Sequence, residues 1–328
     1  MILCIGEAVI DMIRFPVKDI QAAFLPLPGG CAYNTSIAIG RLGVPVAFLG
    51  RLSANFFGDI QVKRLRENNV KDNLLIRCPE NPVLSFIKIE EGKDPEYAFY
   101  EEGTADRLLL PQELPALTSD ISCIVFGSIS IAMEPIGSTI EALVLKESSP
   151  VGAHICTHTG EGKVIAFDPN IRPLIIKDKE AYKRRFDKLA GASTIIKISI
   201  EDFQFLEKDA QPLYILEKLI TLGSRLAIVT LGPKGAMALL KRTDGSTTKI
   251  SAPGENVPQV ADTVGAGDTF HGAFLARLEQ RGKMSPAAIV NLSETELHEA
   301  LTFANKAAAY VCAQHGCEPP WLKEIQGL

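Results

Sequence analysis

The feature that most constrains this chain is an alternation repeated along its 328 residues. "MILCIG", "VAFLG", "SCIVFG", "KVIAFD", "STIIKIS" and "RLAIVTLG" are short apolar runs without a polar face, as strands covered on both sides must be. Between them, "NTSIAIGRLG", "DIQVKRLRENN", "QPLYILEKLITLG" and the segments 267–281 and 294–314 place apolar residues at helical spacing. This order predicts an α/β fold: a doubly wound, mostly parallel sheet flanked by helices. Two stretches break the rule. Residues 12–28 and 83–103 alternate apolar with polar, like strands with one wet face. They predict a small β-sheet lid inserted in a single domain spanning 1–328.

Composition narrows the partners. A net charge of -5 without a basic stripe argues against nucleic acid or an anionic membrane. No run approaches the roughly 18 apolar residues of a membrane span. "MILCIGEAVIDMI" imitates an export signal but lacks a basic start and carries Glu7 and Asp11. The seven cysteines form no CxxC pair, which predicts free thiols in a reducing, cytoplasmic setting. His154, Cys156 and His158 lie in a polar connection at 147–162 and are read as loop residues, because no second ligand cluster accompanies them.

The chemistry concentrates at strand ends. In "ADTVGAGDTF" (261–270), a glycine-rich turn feeds a helix whose face is Phe270, Ala273, Phe274 and Leu278. Free N–H groups at such a start attract anions, most often phosphate. A helix-capping aspartate would explain Asp268 but not the glycines on both sides of Ala266. "LPGGCAYNTSIAIGRLG" sets Gly29 and Gly30 before a helix with Asn34 in its first turn, which alone is satisfied by a tight loop. Asp11 sits in an apolar strand, where an unpaired carboxylate is costly, and is expected at that strand's end. "FDPNIRP" (167–173), "KISIEDF" (197–203) and "VTLGPKGA" (229–236) each close a strand with polar or glycine residues. Ligands bind at the carboxyl edge of open α/β sheets. Five polar strand ends beside an anion-binding helix start predict a phosphate-handling cleft.

This set resembles the ribokinase-like (PfkB) family of carbohydrate kinases over nearly the whole chain. "GGCAYNTSIAIGRLG" is similar to that family's sugar-binding motif and "DTVGAGDTFHGAF" to its catalytic motif. The resemblance implies transfer of the γ-phosphoryl group of ATP to a sugar hydroxymethyl group. Asp268 would be the general base, and the turn of Gly265, Ala266 and Gly267 would supply the anion hole through the amides of Ala266, Gly267 and Asp268. Small residues there would let the backbone approach the phosphate. By the same comparison Asp11, Gly30 and Asn34 would hold sugar hydroxyls and Asn170 would line the cleft. Lys197, Thr230, Gly232 and Gly235 would serve the nucleotide, with Asn305 facing adenine. Ser199-Ile200-Glu201-Asp202 stands where the family has Asn-x-x-Glu, so Asp202 would organise Mg2+ through water. Asp262, Val264, Val311, Gln314 and Gly316 match the places that hold a monovalent cation such as K+.

For the acceptor, "FYEEGTAD" and "FGSIS" resemble the fructokinase branch. Glu101 and Glu102 stand near that branch's lid arginine and disfavour an anionic sugar, with Arg107 close by. D-fructose is expected; 2-keto-3-deoxygluconate and ribose are alternatives, as is a sugar- or nucleotide-binding protein without catalysis. The lid sheet is expected to pair two subunits.

Overall fold

The structure, a computed structural model, describes residues 1–17, 20–88, 96–148 and 162–325, so His154, Cys156 and His158 lie outside the described residues. In chain order the strands are β1 (Ile2–Ile5), β2 (Val9–Val17), β3 (Ile20–Gly29), β4 (Val46–Ser53), β5 (Val70–Lys71), β6 (Leu75–Cys78) and β7 (Leu84–Lys88). They continue as β8 (Glu96–Tyr100), β9 (Cys123–Gly127), β10 (Val164–Asp168), β11 (Ile195–Ser199), β12 (Leu226–Thr230), β13 (Ala236–Lys241) and β14 (Thr247–Ala252). The helices are α1 (Cys31–Arg41), α2 (Phe56–Glu67), α3 (Ile136–Glu147), α4 (Lys179–Ala192), α5 (Ile200–Leu206), α6 (Pro212–Leu222), α7 (Ala266–Gln280), α8 (Pro286–Val290), α9 (Glu294–Cys312) and α10 (Leu322–Ile325).

Among the described residues, the main sheet runs β14-β13-β12-β11-β10-β9-β1-β4-β5, with β6 also paired to β4. It is parallel except at the β12–β13–β14 edge. Its central strands β1, β9 and β10 show no alternation because each face meets a helical layer. Cys4 packs with Ile37, Phe274 and Leu301, on the side of α1, α7 and α9. Leu3 and Ile5 pack with Phe126, Phe167, Phe186 and Leu216, on the side of α3, α4 and α6. Phe126 and Phe167 stack at 4.8 Å between centroids, which locks β9 to β10 just below their polar ends.

The second sheet runs β3-β2-β7-β8. It is the predicted small sheet, extended slightly at both ends of its first hairpin. Asp11 is not at a strand end of the main sheet, as expected, but is the third residue of β2, paired with Leu27 and Ser85. Its carboxylate lies against Gly29, where a side chain would have to displace it. On the opposite face, Phe24, Phe86 and Tyr100 form an edge-to-face row with spacings of 5.1 and 5.6 Å. Cys4, Cys31, Cys78, Cys123, Cys312 and Cys317 are free thiols, as predicted, and no helix among the described residues is long and apolar enough to cross a membrane.

Candidate active site

The anion-binding turn is built by residues far apart in sequence. Gly265 adopts a left-handed conformation (φ 76°) and its Cα faces Cys317, whose side chain would collide with any Cβ there. Asp262 ties the turn to the C-terminal loop: it accepts from Val264 N at 2.9 Å and from Gly316 N at 3.2 Å. That loop is in turn held by Arg41 and Arg64, which grip Glu318 at 2.6 and 2.9 Å and donate to the carbonyls of Pro319 and Cys317. The amides of Gly267 and Asp268 have no acceptor among the described residues, as an anion site requires. Ala266 differs from the expectation, because its N–H already leans on the Thr263 carbonyl at 3.3 Å.

Asp268 is buried in the first turn of α7. Asn34 donates to its Oδ2 at 2.9 Å and Asn170 to its Oδ1 at 3.1 Å. The three residues come from α1, the β10 end and α7. Asn170 reaches Asp268 from a backbone with φ of 37°, a strained position of the kind found at functional sites. Burial, and then the charge of Asp168, push the Asp268 carboxyl above the ordinary aspartate range, against the pull of Asn34, Cys31 and Lys197. A carboxylate so placed is a poised proton acceptor.

Behind it lies a buried ion pair. Lys197 Nζ binds Asp168 Oδ2 at 2.9 Å; burial opposes the lysine charge, but Asp168 overrides it and raises the ammonium above its usual value. A Cβ at Gly267 would stand 2.9 Å from that Nζ, so the cation lies directly under the anion-binding turn. Asp202 lines the same cavity, and burial and Asp168 push it up to about 6. His271 is fully buried with Nδ1 at 3.7 Å from Asp168 Oδ2, and burial lowers it to about 4, so it is neutral. No local pattern points to His271 or to Cys31, whose thiol joins Asp168 and Asp268 within 4.8 Å. A thiol and a neighbouring ammonium make that trio a poor fit for a hard divalent cation, whereas Asp202 offers oxygen alone.

A cavity of about 870 Å³ opens from this point, and the expected Lys197, Thr230, Gly232, Gly235 and Asn305 all line it. Val257, Val260, Phe270 and Ala308 add an apolar wall suited to a flat base. Asn305 also donates to the carbonyls of Ala252 (3.2 Å) and Pro253 (2.9 Å), so it holds the loop as well as facing the cavity. Asp11 approaches from the small sheet; burial chiefly pushes it up to about 6, with Asp268 adding to the shift. Gly30, at the start of α1, packs on the backbone of Glu7 and Ala8. The cation-loop residues Asp262, Val264, Val311, Gln314 and Gly316 do come together, joined by the Asp262–Gly316 bond and a Gln314 N to Val311 O bond of 3.0 Å.

One argument from sequence fails. Glu101 is neutralised by Arg107 and by Lys177 at 3.7 Å, and Glu102 by Lys177 at 3.2 Å. These acids are spent on local pairs and do not repel an anionic sugar.

A buried carboxylate beside free helix-start amides, at the head of a nucleotide-sized cavity on the carboxyl edge of such a sheet, defines a phosphotransferase of ribokinase-like architecture. A profile described as "pfkB family carbohydrate kinase" matches residues 1–324, and the chain belongs to that family. It is 35% identical over 297 residues to a fructokinase of Rhizobium leguminosarum bv. trifolii, covering 90% of this chain and 85% of the relative. Its structure is similar to that of the ATP-bound fructokinase of Xylella fastidiosa, with a TM-score of 0.86 and 26% identity over 99% of this chain and 97% of the other. The fold alone is shared with aminoimidazole riboside kinase of Salmonella enterica, at a TM-score of 0.78 and 21% identity over 99% and 98% of the two chains.

Proposed function

We propose that this protein phosphorylates D-fructose at its 6-hydroxyl, with ATP as donor. The observation that carries the reading is Asp268, held through both oxygens by amides and set between the free N–H groups of α7 and Asp11 of the small sheet. In this reading Asp268 takes the proton of the primary hydroxyl as the oxygen attacks the γ-phosphorus. The amides of Gly267 and Asp268, with Lys197 beneath them, stabilise the charge gathering on the transferring group. Asp11, Gly30, Asn34 and Asn170 orient the sugar, and the small sheet acts as a lid that excludes water. Thr230, Gly232, Gly235 and Asn305 frame the nucleotide. Mg2+ would offset phosphate charge, held through water by Asp202. The backbone oxygens of the loops at Asp262, Val264, Val311, Gln314 and Gly316 suit K+, which would keep the turn in shape. The exposed row of Phe24, Phe86 and Tyr100 supports pairing of two subunits through the lid.

A second reading is 2-keto-3-deoxygluconate as acceptor, because Arg107 and Lys177 offset Glu101 and Glu102 and leave no net negative charge at the lid's edge against a carboxylate. A coupled ADP-release assay over fructose, ribose, 2-keto-3-deoxygluconate and fructose 6-phosphate separates these. Fructose should have the highest kcat/KM. A tenfold preference for another sugar, worth about 1.4 kcal/mol in transition-state binding, overturns the acceptor but not the kinase. ATP turnover with none of them overturns the kinase.

A further inference from the structure

The chain crosses between the main body and the small sheet at four places; three meet at one buried carboxylate and the fourth packs on the backbone of one of them. Residues 6–8 lead into β2, residues 79–83 into β7, Gly30 follows β3, and residues 101–105 follow β8. Asp106, 1% exposed, ends the last of these crossings. Its Oδ1 accepts from Ala8 N at 2.8 Å and its Oδ2 from Val83 N at 3.2 Å, the residues just before β2 and β7. Those two stems also bond each other, Ile10 N to Val83 O at 2.9 Å. Ala105 N donates to Asn81 O at 2.8 Å. A Cβ on Gly30 would lie 3.3 Å from Ala8 Cα, so the fourth crossing rests on the same backbone.

We propose that Asp106 is the positioning residue of the lid hinge: its two oxygens fix the stems of β2 and β7 so that Asp11 is presented to the sugar opposite Asp268. The proposal rests on the reading of the small sheet as a sugar lid. Among the described residues no cation is paired with this carboxylate; Glu7, two residues past β1, adds like charge. On the elements packed against its turn, Arg51 of β4 is taken by Glu80 and Glu113, and Glu141 of α3 by Arg185 and Lys188. Arg107 next to it is taken by Glu101. Burial first, with Glu7 adding, pushes Asp106 up to about 7. Burial outweighs the two N–H bonds, so the closed hinge holds this proton more tightly than an opened, hydrated one: the hinge is firm below about pH 7 and loosens above it. The fold responds with the same sign. A carboxyl raised in the folded state contributes stability at low pH that is lost as pH rises through about 7.

Asp106→Asn preserves shape but turns one acceptor into a donor facing an N–H. Its fructose KM should rise about tenfold, while the ATP KM and kcat stay within about threefold. The wild-type fructose KM should climb between about pH 6 and about pH 8, and that climb should vanish in Asp106→Asn. Equal rises for both substrates, or a fall in kcat with fructose KM unchanged, would overturn the hinge role. Should the variant fail to fold, hydrogen exchange of the wild-type protein decides. After correction for intrinsic rates, the Ala8 and Val83 amides should open more at about pH 8 than at about pH 6, with β9 and β10 unchanged. A uniform change across all strands sinks the hinge, and this readout stands whether or not any sugar is turned over.

Discussion

In the main sheet Leu3, Cys4 and Ile5 are each 0% exposed, with one helical layer over each face. In the small sheet one face looks toward Asp268, while the other leaves Phe24 39% and Tyr100 63% exposed. The groups that must not move, Asp168, Lys197 and Asp268, stand on elements of the first kind. The group proposed to meet and release a sugar, Asp11, stands on the second. Elements with little burial open at low cost, and binding lids are drawn from them. Rigidity and access are thus assigned to separate sheets, joined by a narrow hinge.

That division can be broken by substitution. Asp268→Asn should lower kcat by at least about a hundredfold with both KM values little changed, the range for a lost general base; steady-state kinetics showing near-normal turnover would move the chemistry elsewhere. The same residue sets the pH response. The base works ionised and its carboxyl is raised by burial, so log kcat of the wild type should fall with acidification from a point above the usual carboxylate value of about 3.9. Gly127→Ala tests the rigid half: at φ 154° the new Cβ overlaps the carbonyl of Asp168. It should cost about 3 kcal/mol of stability, read as a lowered Tm. Asp11→Ala tests the mobile half and should raise the sugar KM about tenfold with ATP KM unaltered; a matching rise in ATP KM would blur the division. The smallest effect is expected from Phe24→Ser, which should weaken subunit pairing by sedimentation while kcat/KM changes less than about twofold. Loss of activity there would tie the outer face to the site.

Local patterns carried most of the fold and the heart of the site. The apolar runs located β9 to β12, and the turn of residues 265–268 placed the anion site and Asp268 together. What escaped was long-range pairing. Asn34 meets Asp268 across 234 positions and Ala8 meets Asp106 across 98, and neither separation leaves a periodic trace. Asp11 was misplaced because an apolar run looks alike in either sheet. The charge argument at Glu101 failed for the same reason, since Lys177 lies outside that segment and comes to it only through the fold.

The closure of the Gly265 turn by Cys317 and by the Asp262–Gly316 bond, formed across 54 positions, has a consequence for biosynthesis. On the ribosome, β1 to β12 and the start of α7 emerge before residues 312–319. Until that last stretch leaves the exit tunnel, Gly265 has no neighbour to rest on and Glu318 is not there for Arg41 and Arg64 to grip. Nascent chains therefore carry the base without a finished phosphate cradle. The turn is completed only once residues 312–319 have emerged.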